Sequence, residues 1–293
     1  MVTSQKKSQV LSLKQVTHMT WAPLDQQLLF THSTDGIEGI AVVHPNGRNF
    51  QKLYRQAARY PVFSPTGRQI AFAGSVSRHG GWGLSVMNAD GSATRQLVPG
   101  NKIKDVTWSF NGHYIAFTTD GVVGIYHTRT QETTRVGVGR HPSWSGDNKV
   151  LSFERDDKIL QYDLQREESF LLGKGTHPQG SVNGDLSFYV EKPLVVAGLP
   201  VENGLHVQMP RRQYLIKASE VTYHRWTRDG RMLLFNGYWQ GQKGLFFANR
   251  GEDTARLILP KKQFQFVYSP GISPDGTMVA YTDDQWMIHV VAL

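Results

Sequence analysis

The chain is 293 residues long, 39% hydrophobic and 19% charged, with 29 glycines and a net charge of +8. That composition belongs to a folded globular chain with a sizeable core, and it excludes disordered and collagen-like classes. Cysteine is absent, which excludes disulfides, cysteine nucleophiles and thiolate metal sites.

The first seven residues, Met1-Val-Thr-Ser-Gln-Lys-Lys7, read as a short tail without the apolar stretch of a secretory signal. Next comes a strand over Gln9-Val-Leu-Ser-Leu-Lys14, and then a motif that recurs seven times. Its copies are Trp21-Ala-Pro-Leu-Asp25, Phe63-Ser-Pro-Thr-Gly67, Trp108-Ser-Phe-Asn-Gly112, Trp144-Ser-Gly-Asp-Asn148, Gly180-Ser-Val-Asn-Gly184, Trp226-Thr-Arg-Asp-Gly230 and Ile272-Ser-Pro-Asp-Gly276. The first residues of these copies are 42, 45, 36, 36, 46 and 46 positions apart. This is the period of a four-stranded propeller blade and too long for leucine-rich or ankyrin units.

The second copy shows what one unit contains. A strand over Tyr60 to Ser64, a turn at Pro65-Thr-Gly67 and a strand over Gln69 to Ala73 are followed by a long loop. Then come a strand over Gly83 to Asn88, the turn Ala89-Asp-Gly91 and a strand over Thr94 to Val98. Asp-Gly and Asn-Gly turns supply the positive φ that tight hairpins demand, so the unit reads as an antiparallel meander. The last copy supplies strands over Met278 to Thr282 and Met287 to Leu293, one short of a blade. The predicted remedy is that the N-terminal strand completes the last blade and covers its open edge. The fold class is therefore all-β, a seven-bladed propeller occupying 8–293 as one domain.

The runs Phe63-Ser-Pro-Thr-Gly-Arg-Gln-Ile-Ala-Phe72 and Leu84-Ser-Val-Met-Asn-Ala-Asp-Gly91 resemble the WD40-like (PD40) repeat of TolB-like propellers. The similarity covers almost the whole chain and is weakest in blade five, where Gly180 replaces the aromatic. It implies a propeller that binds proteins, commonly outside the cytoplasm, and no single activity. As written the chain reads as cytoplasmic; as the mature form of a TolB-like protein it would be periplasmic.

Basic residues are scattered. Local pairs occur at Lys6-Lys7, Arg211-Arg212 and Lys261-Lys262, but no basic stripe interleaved with aromatics runs through the repeats. Nucleic acid is therefore not the expected partner. No apolar run approaches the roughly 18 residues of a membrane helix. Nucleophile-elbow, phosphate-loop, His-Glu-x-x-His and EF-hand patterns are missing too, so no enzyme class is indicated.

Two sets of candidate site residues share the face from which each blade's first strand begins. One set is the position three before each repeat's leading residue: His18, Tyr60, Asp105, His141, His177, Tyr223 and Ser269. Three of the 11 histidines fall in this register. Imidazoles and a carboxylate converging there could bind a divalent metal, although a channel-mouth histidine is more often a hydrogen-bonded structural residue. His177-Pro-Gln179 also resembles a motif of seven-bladed oligogalacturonate lyases, which implies a metal-dependent carbohydrate lyase, hydrolase or glycan binder as the alternative to a scaffold.

The second set lies in long loops between second and third strands: Arg78 and Trp82 in blade two, Leu199 in blade five, and Tyr238, Trp239 and Lys243 in blade six. Aromatic residues and arginine anchor many protein interfaces, and loops on rigid scaffolds carry binding residues. The expectation is a non-catalytic scaffold without a cofactor. It would dock a protein partner, within a larger or membrane-associated assembly, and would not self-associate.

Overall fold

The computed structural model describes residues 8–260 and 268–293, apart from residues 12, 14, 35, 77–80, 193 and 197–198. Among these the chain is all-β, and it forms the seven four-stranded antiparallel blades of a seven-bladed β-propeller.

Its contacts divide the chain into two compact units. The first unit comprises residues 1–101 and 262–293 and carries blades one, two and seven. Blade two has strands Ala58–Phe63, Gln69–Ser75, Trp82–Asn88 and Arg95–Pro99. Blade seven opens with strand Tyr268–Ile272, followed by Met278–Thr282 and Ile288–Ala292. Its fourth strand is Ser8–Leu11, paired antiparallel with Ile288–Ala292, so the N-terminal strand does complete the last blade. The second unit, residues 102–261, carries blades three to six. Blade five holds an insertion between its second and third strands, the small hairpin Leu194–Val196 with Leu199–Val201.

The repeated motif is a turn held by its own side chains. In blade three the Ser109 hydroxyl donates to Asn111 Oδ1 (2.7 Å) and accepts from the Tyr114 amide (3.0 Å), while Asn111 Oδ1 accepts from the His113 amide (3.0 Å). The same lattice recurs with Ser145 and Asp147, Thr227 and Asp229, and Ser273 and Asp275. A short polar side chain thereby satisfies turn amides that would otherwise have no partner. Asp275 is held down at about 2, first by its bond from Ser273 and then by the Thr277 amide.

The residue that opens the motif points into the sheets. Trp144 and Trp226 are buried, and each indole N–H donates to the preceding blade's first strand, at Thr107 O (3.4 Å) and Gln179 O (3.1 Å). Apolar cores lie between neighbouring blades. One joins Phe30 and Trp21 of blade one to Ala280 and Ile288 of blade seven; another joins Ala116 and Ile125 of blade three to Trp144 and Phe153 of blade four.

Gly180 explains the degenerate copy in blade five. A Cβ there would lie 2.0 Å from the Trp144 carbonyl oxygen, and the Gly180 amide donates to Ser143 Oγ (2.8 Å). The first strands of blades four and five approach too closely at this point for any side chain.

Candidate functional site

The predicted register has a backbone identity of its own. His18 (φ 50°), Tyr60 (φ 56°), Asp105 (φ 51°), His141 (φ 53°) and His177 (φ 53°) are all left-handed. In each case the pairing of first and second strands slips at that residue, between Thr17 and Thr20, Arg59 and Val62, Lys104 and Thr107, Arg140 and Ser143, and Thr176 and Gln179. These are β-bulges, which leave one residue out of the ladder and re-aim its side chain. A left-handed conformation is uncommon for a residue with a Cβ, and its repetition shows that the repeat geometry imposes it. Tyr223 is not among the left-handed residues; its amide donates to Asn236 Oδ1 (2.8 Å) instead. Ser269 lies in strand Tyr268–Ile272.

Within the first unit, the His18 and Tyr60 rings pack together with centroids 4.1 Å apart, and His18 Nδ1 lies 3.0 Å from Thr17 Oγ1. Within the second unit, Asp105, His141 and His177 meet. Asp105 Oδ2 accepts from the His141 amide (3.2 Å), and the imidazoles of His141 and His177 stack at 4.3 Å with planes 25° apart.

Glu154, which the sequence reading did not single out, organises this group. It lies in the second strand of blade four, Val150–Arg155, paired with Arg140, and its side chain is fully buried. Oε1 accepts from Arg140 Nε (2.9 Å) and from the Nη2 of the same guanidinium. Oε2 accepts from the His177 amide (2.9 Å) and lies 3.0 Å from His141 Nδ1 and 4.0 Å from His177 Nδ1. Burial alone would raise the Glu154 pKa, but the bonds from His141, the His177 amide and Arg140 outweigh it and hold the carboxyl at about 2. The Arg140 guanidinium is correspondingly raised. Burial, followed by the neighbouring His141, lowers the His177 pKa and favours a neutral imidazole. Both rings remain open to solvent, with 29% and 44% of their side-chain surface exposed.

An alignment of second strands would have exposed Glu154. Thr31, Ala73, Thr118, Glu154, Tyr189, Asn236 and Thr282 each follow an aromatic residue at the same repeat position. Glu154 is the one charged residue among the seven. Gln179, from the motif that resembles the lyases, uses its backbone carbonyl to accept the Trp226 indole N–H.

The loop candidates separate by exposure. Arg78 lies outside the described residues, and Leu199 sits in the small blade-five hairpin. Trp82 is half-buried at the start of its strand, where its carbonyl accepts from the Gly100 amide (3.0 Å). Trp239 is half-buried edge-on to Phe246, with centroids 6.1 Å apart. Lys243 is ion-paired with Glu220. Tyr238 is 41% exposed.

No protein-family profile matches the chain, and a search of curated proteins finds no match. Among the described residues no helix is long and apolar enough to cross a membrane.

Proposed function

We propose that the protein is a non-catalytic scaffold that docks a protein partner on the face where the first strands of its blades begin, with the blade-six hairpin as the principal contact in the second unit. The observation that carries this reading is the way that hairpin holds Tyr238. Its strands, Met232–Trp239 and Gln242–Asn249, have eight residues each and pair along their full length. The tip is tied to a neighbouring segment by two further bonds, Tyr238 N to Ser219 O (2.7 Å) and Ser219 N to Tyr238 O (2.9 Å). Trp239 braces it from within against Phe246, and Lys243 pairs with Glu220 beside it. Tyr238 thus presents a large amphipathic ring on a backbone that is already ordered, so a partner meets little of the usual ordering cost.

The resemblance of the repeats to TolB-like propellers supports the same reading. Its test is affinity purification of the tagged chain from its native host, followed by mass spectrometry. A partner should accompany the wild type in near-stoichiometric amount, be lost with Tyr238→Ala, and be retained with Leu171→Ala, a change at an exposed position on the last strand of blade four. A chain that purifies alone, or a partner indifferent to Tyr238→Ala, overturns the proposal.

A further inference from the structure

We infer that His141, His177 and Glu154 form a binding site for one divalent first-row transition ion of the zinc type, held by two imidazole nitrogens and one carboxylate oxygen with its remaining positions open to solvent. The inference is independent of the scaffold reading, which rests on the blade-six hairpin.

Distances come first. One nitrogen from each imidazole and one oxygen of Glu154 lie within 4.8 Å of one another, the one such group found among the described residues. Metal bonds of about 2.1 Å to nitrogen or oxygen allow two ligand atoms of one ion to lie up to about 4.2 Å apart. The two separations measured from Glu154 Oε2, 3.0 Å to His141 Nδ1 and 4.0 Å to His177 Nδ1, both fall inside that limit.

The division of labour at Glu154 is the second argument. Arg140 occupies Oε1 and leaves Oε2 turned toward the imidazoles. A ligating carboxylate is commonly oriented by just such an outer hydrogen bond. The ion would take the place of the hydrogen bond between His141 Nδ1 and Oε2. The neutral imidazole then carries its one proton on Nε2, which leaves the Nδ1 lone pair for the metal, and no proton is released. Arg140 is a positioning residue in this arrangement.

Charge is the third. The residues bonded to one another here carry two carboxylates, Glu154 and Asp105, and one guanidinium, Arg140. The cluster therefore carries excess negative charge beside two imidazoles, which favours a cation over an anionic ligand. Imidazole donors favour zinc, cobalt, nickel or copper over magnesium and calcium, which prefer all-oxygen sites. Access needs no rearrangement of the blades, because both rings reach solvent.

The experiment uses the full chain, stripped with a chelator and dialysed, and titrates it calorimetrically with Zn(II). One equivalent should bind saturably. His177→Ala and His141→Ala should each weaken binding by about 100-fold, and Arg140→Ala by about 10-fold, in keeping with the outer-shell range of about 10–100-fold. His289→Ala, in the first unit, should leave the affinity unchanged. Circular dichroism checks that each variant is folded. A second readout needs no variant: pulsed EPR of the Cu(II)-loaded wild type counts coordinated imidazoles and should find two. Failure to saturate, a spectrum with fewer than two imidazoles, or binding unaltered in a folded His141→Ala/His177→Ala protein overturns the inference.

Discussion

The first unit sets His18 against Tyr60 and the second sets His141 against His177, on the same bulge, with the same left-handed backbone and nearly the same ring separation. The first pair packs ring on ring beside the Thr17 hydroxyl; the second gathers around a buried carboxylate. One position on the adjoining strand differs between them. Beside Thr17 stands Thr31 and beside Arg59 stands Ala73, but beside Arg140 stands Glu154. The repeat backbone therefore supplies the aim of the side chains, and a single carboxylate in a slot otherwise filled by neutral residues supplies the chemistry. Such a division lets a propeller gain a polar site without altering its blades.

The strongest way to break the comparison is to erase the carboxylate. Glu154→Ala removes the acceptor of the Arg140 guanidinium, the His177 amide and His141 Nδ1 together. Removing one side of a buried charged network costs about 3–5 kcal/mol; Arg140 is exposed enough to turn to water, so about 3 kcal/mol is expected. Urea unfolding checks this. A loss below about 1 kcal/mol would mean that Glu154 fills space much as Ala73 does.

Gly180→Ala is expected to come next. The added methyl would meet the Trp144 carbonyl at 2.0 Å, and backbone cannot yield as a flexible side chain can. Overpacking of this kind costs about 1–3 kcal/mol, and forcing the two first strands apart should also separate the stacked imidazoles. The change would appear in thermal unfolding and in the histidine ring signals of an NMR spectrum. An unshifted His177 resonance in a destabilised protein would show that the stack does not depend on this approach.

The first unit has its own histidine and carboxylate, which sharpen the contrast by titration. His289 Nε2 lies 2.7 Å from Asp283 Oδ2, and its ring stacks on Tyr281 at 4.9 Å. Burial first, and then Asp283, push the Tyr281 phenol up to about 12. A phenol with a raised folded pKa binds its proton more tightly in the folded state. Stability is therefore full below the unfolded value of about 10 and is lost as pH rises through about 12. The Tyr281 contribution to the slope approaches about 1.4 kcal/mol per pH unit, and Tyr281→Phe should remove that contribution while Tyr54, Tyr189 and Tyr214, also raised by burial, keep theirs. Equal alkaline slopes in the two proteins would remove Tyr281 from the account.

Much of the fold was legible because its signals are local. Ser109 with Asn111, and Thr227 with Asp229, close their turns within a few residues, so the motif marks each blade and its period counts them. The unpaired last hairpin likewise demanded the N-terminal strand. The site was only half legible. The register of His141 and His177 follows from the repeat, but the bulge that aims them is a property of strand pairing, and Glu154 belongs to the neighbouring strand. The missing aromatic at Gly180 looked like decay of the repeat and is instead a close approach of two backbones.

The smallest expected effect tests the slot itself. Thr31 and Thr118 occupy the Glu154 position in blades one and three, and both hydroxyls are buried without a hydrogen-bond partner. Neither has an arginine paired across from it: Thr17 faces Thr31 and Lys104 faces Thr118. An unpaired buried hydroxyl is unfavourable, and an apolar group of the same shape removes that cost. Thr118→Val should therefore stabilise the protein by about 0.5–1 kcal/mol, read as a higher urea midpoint with an unchanged slope. Destabilisation by a similar amount would show that the hydroxyl is satisfied by ordered water. The slot would then be polar throughout the repeat, and Glu154 would differ from its counterparts in charge alone.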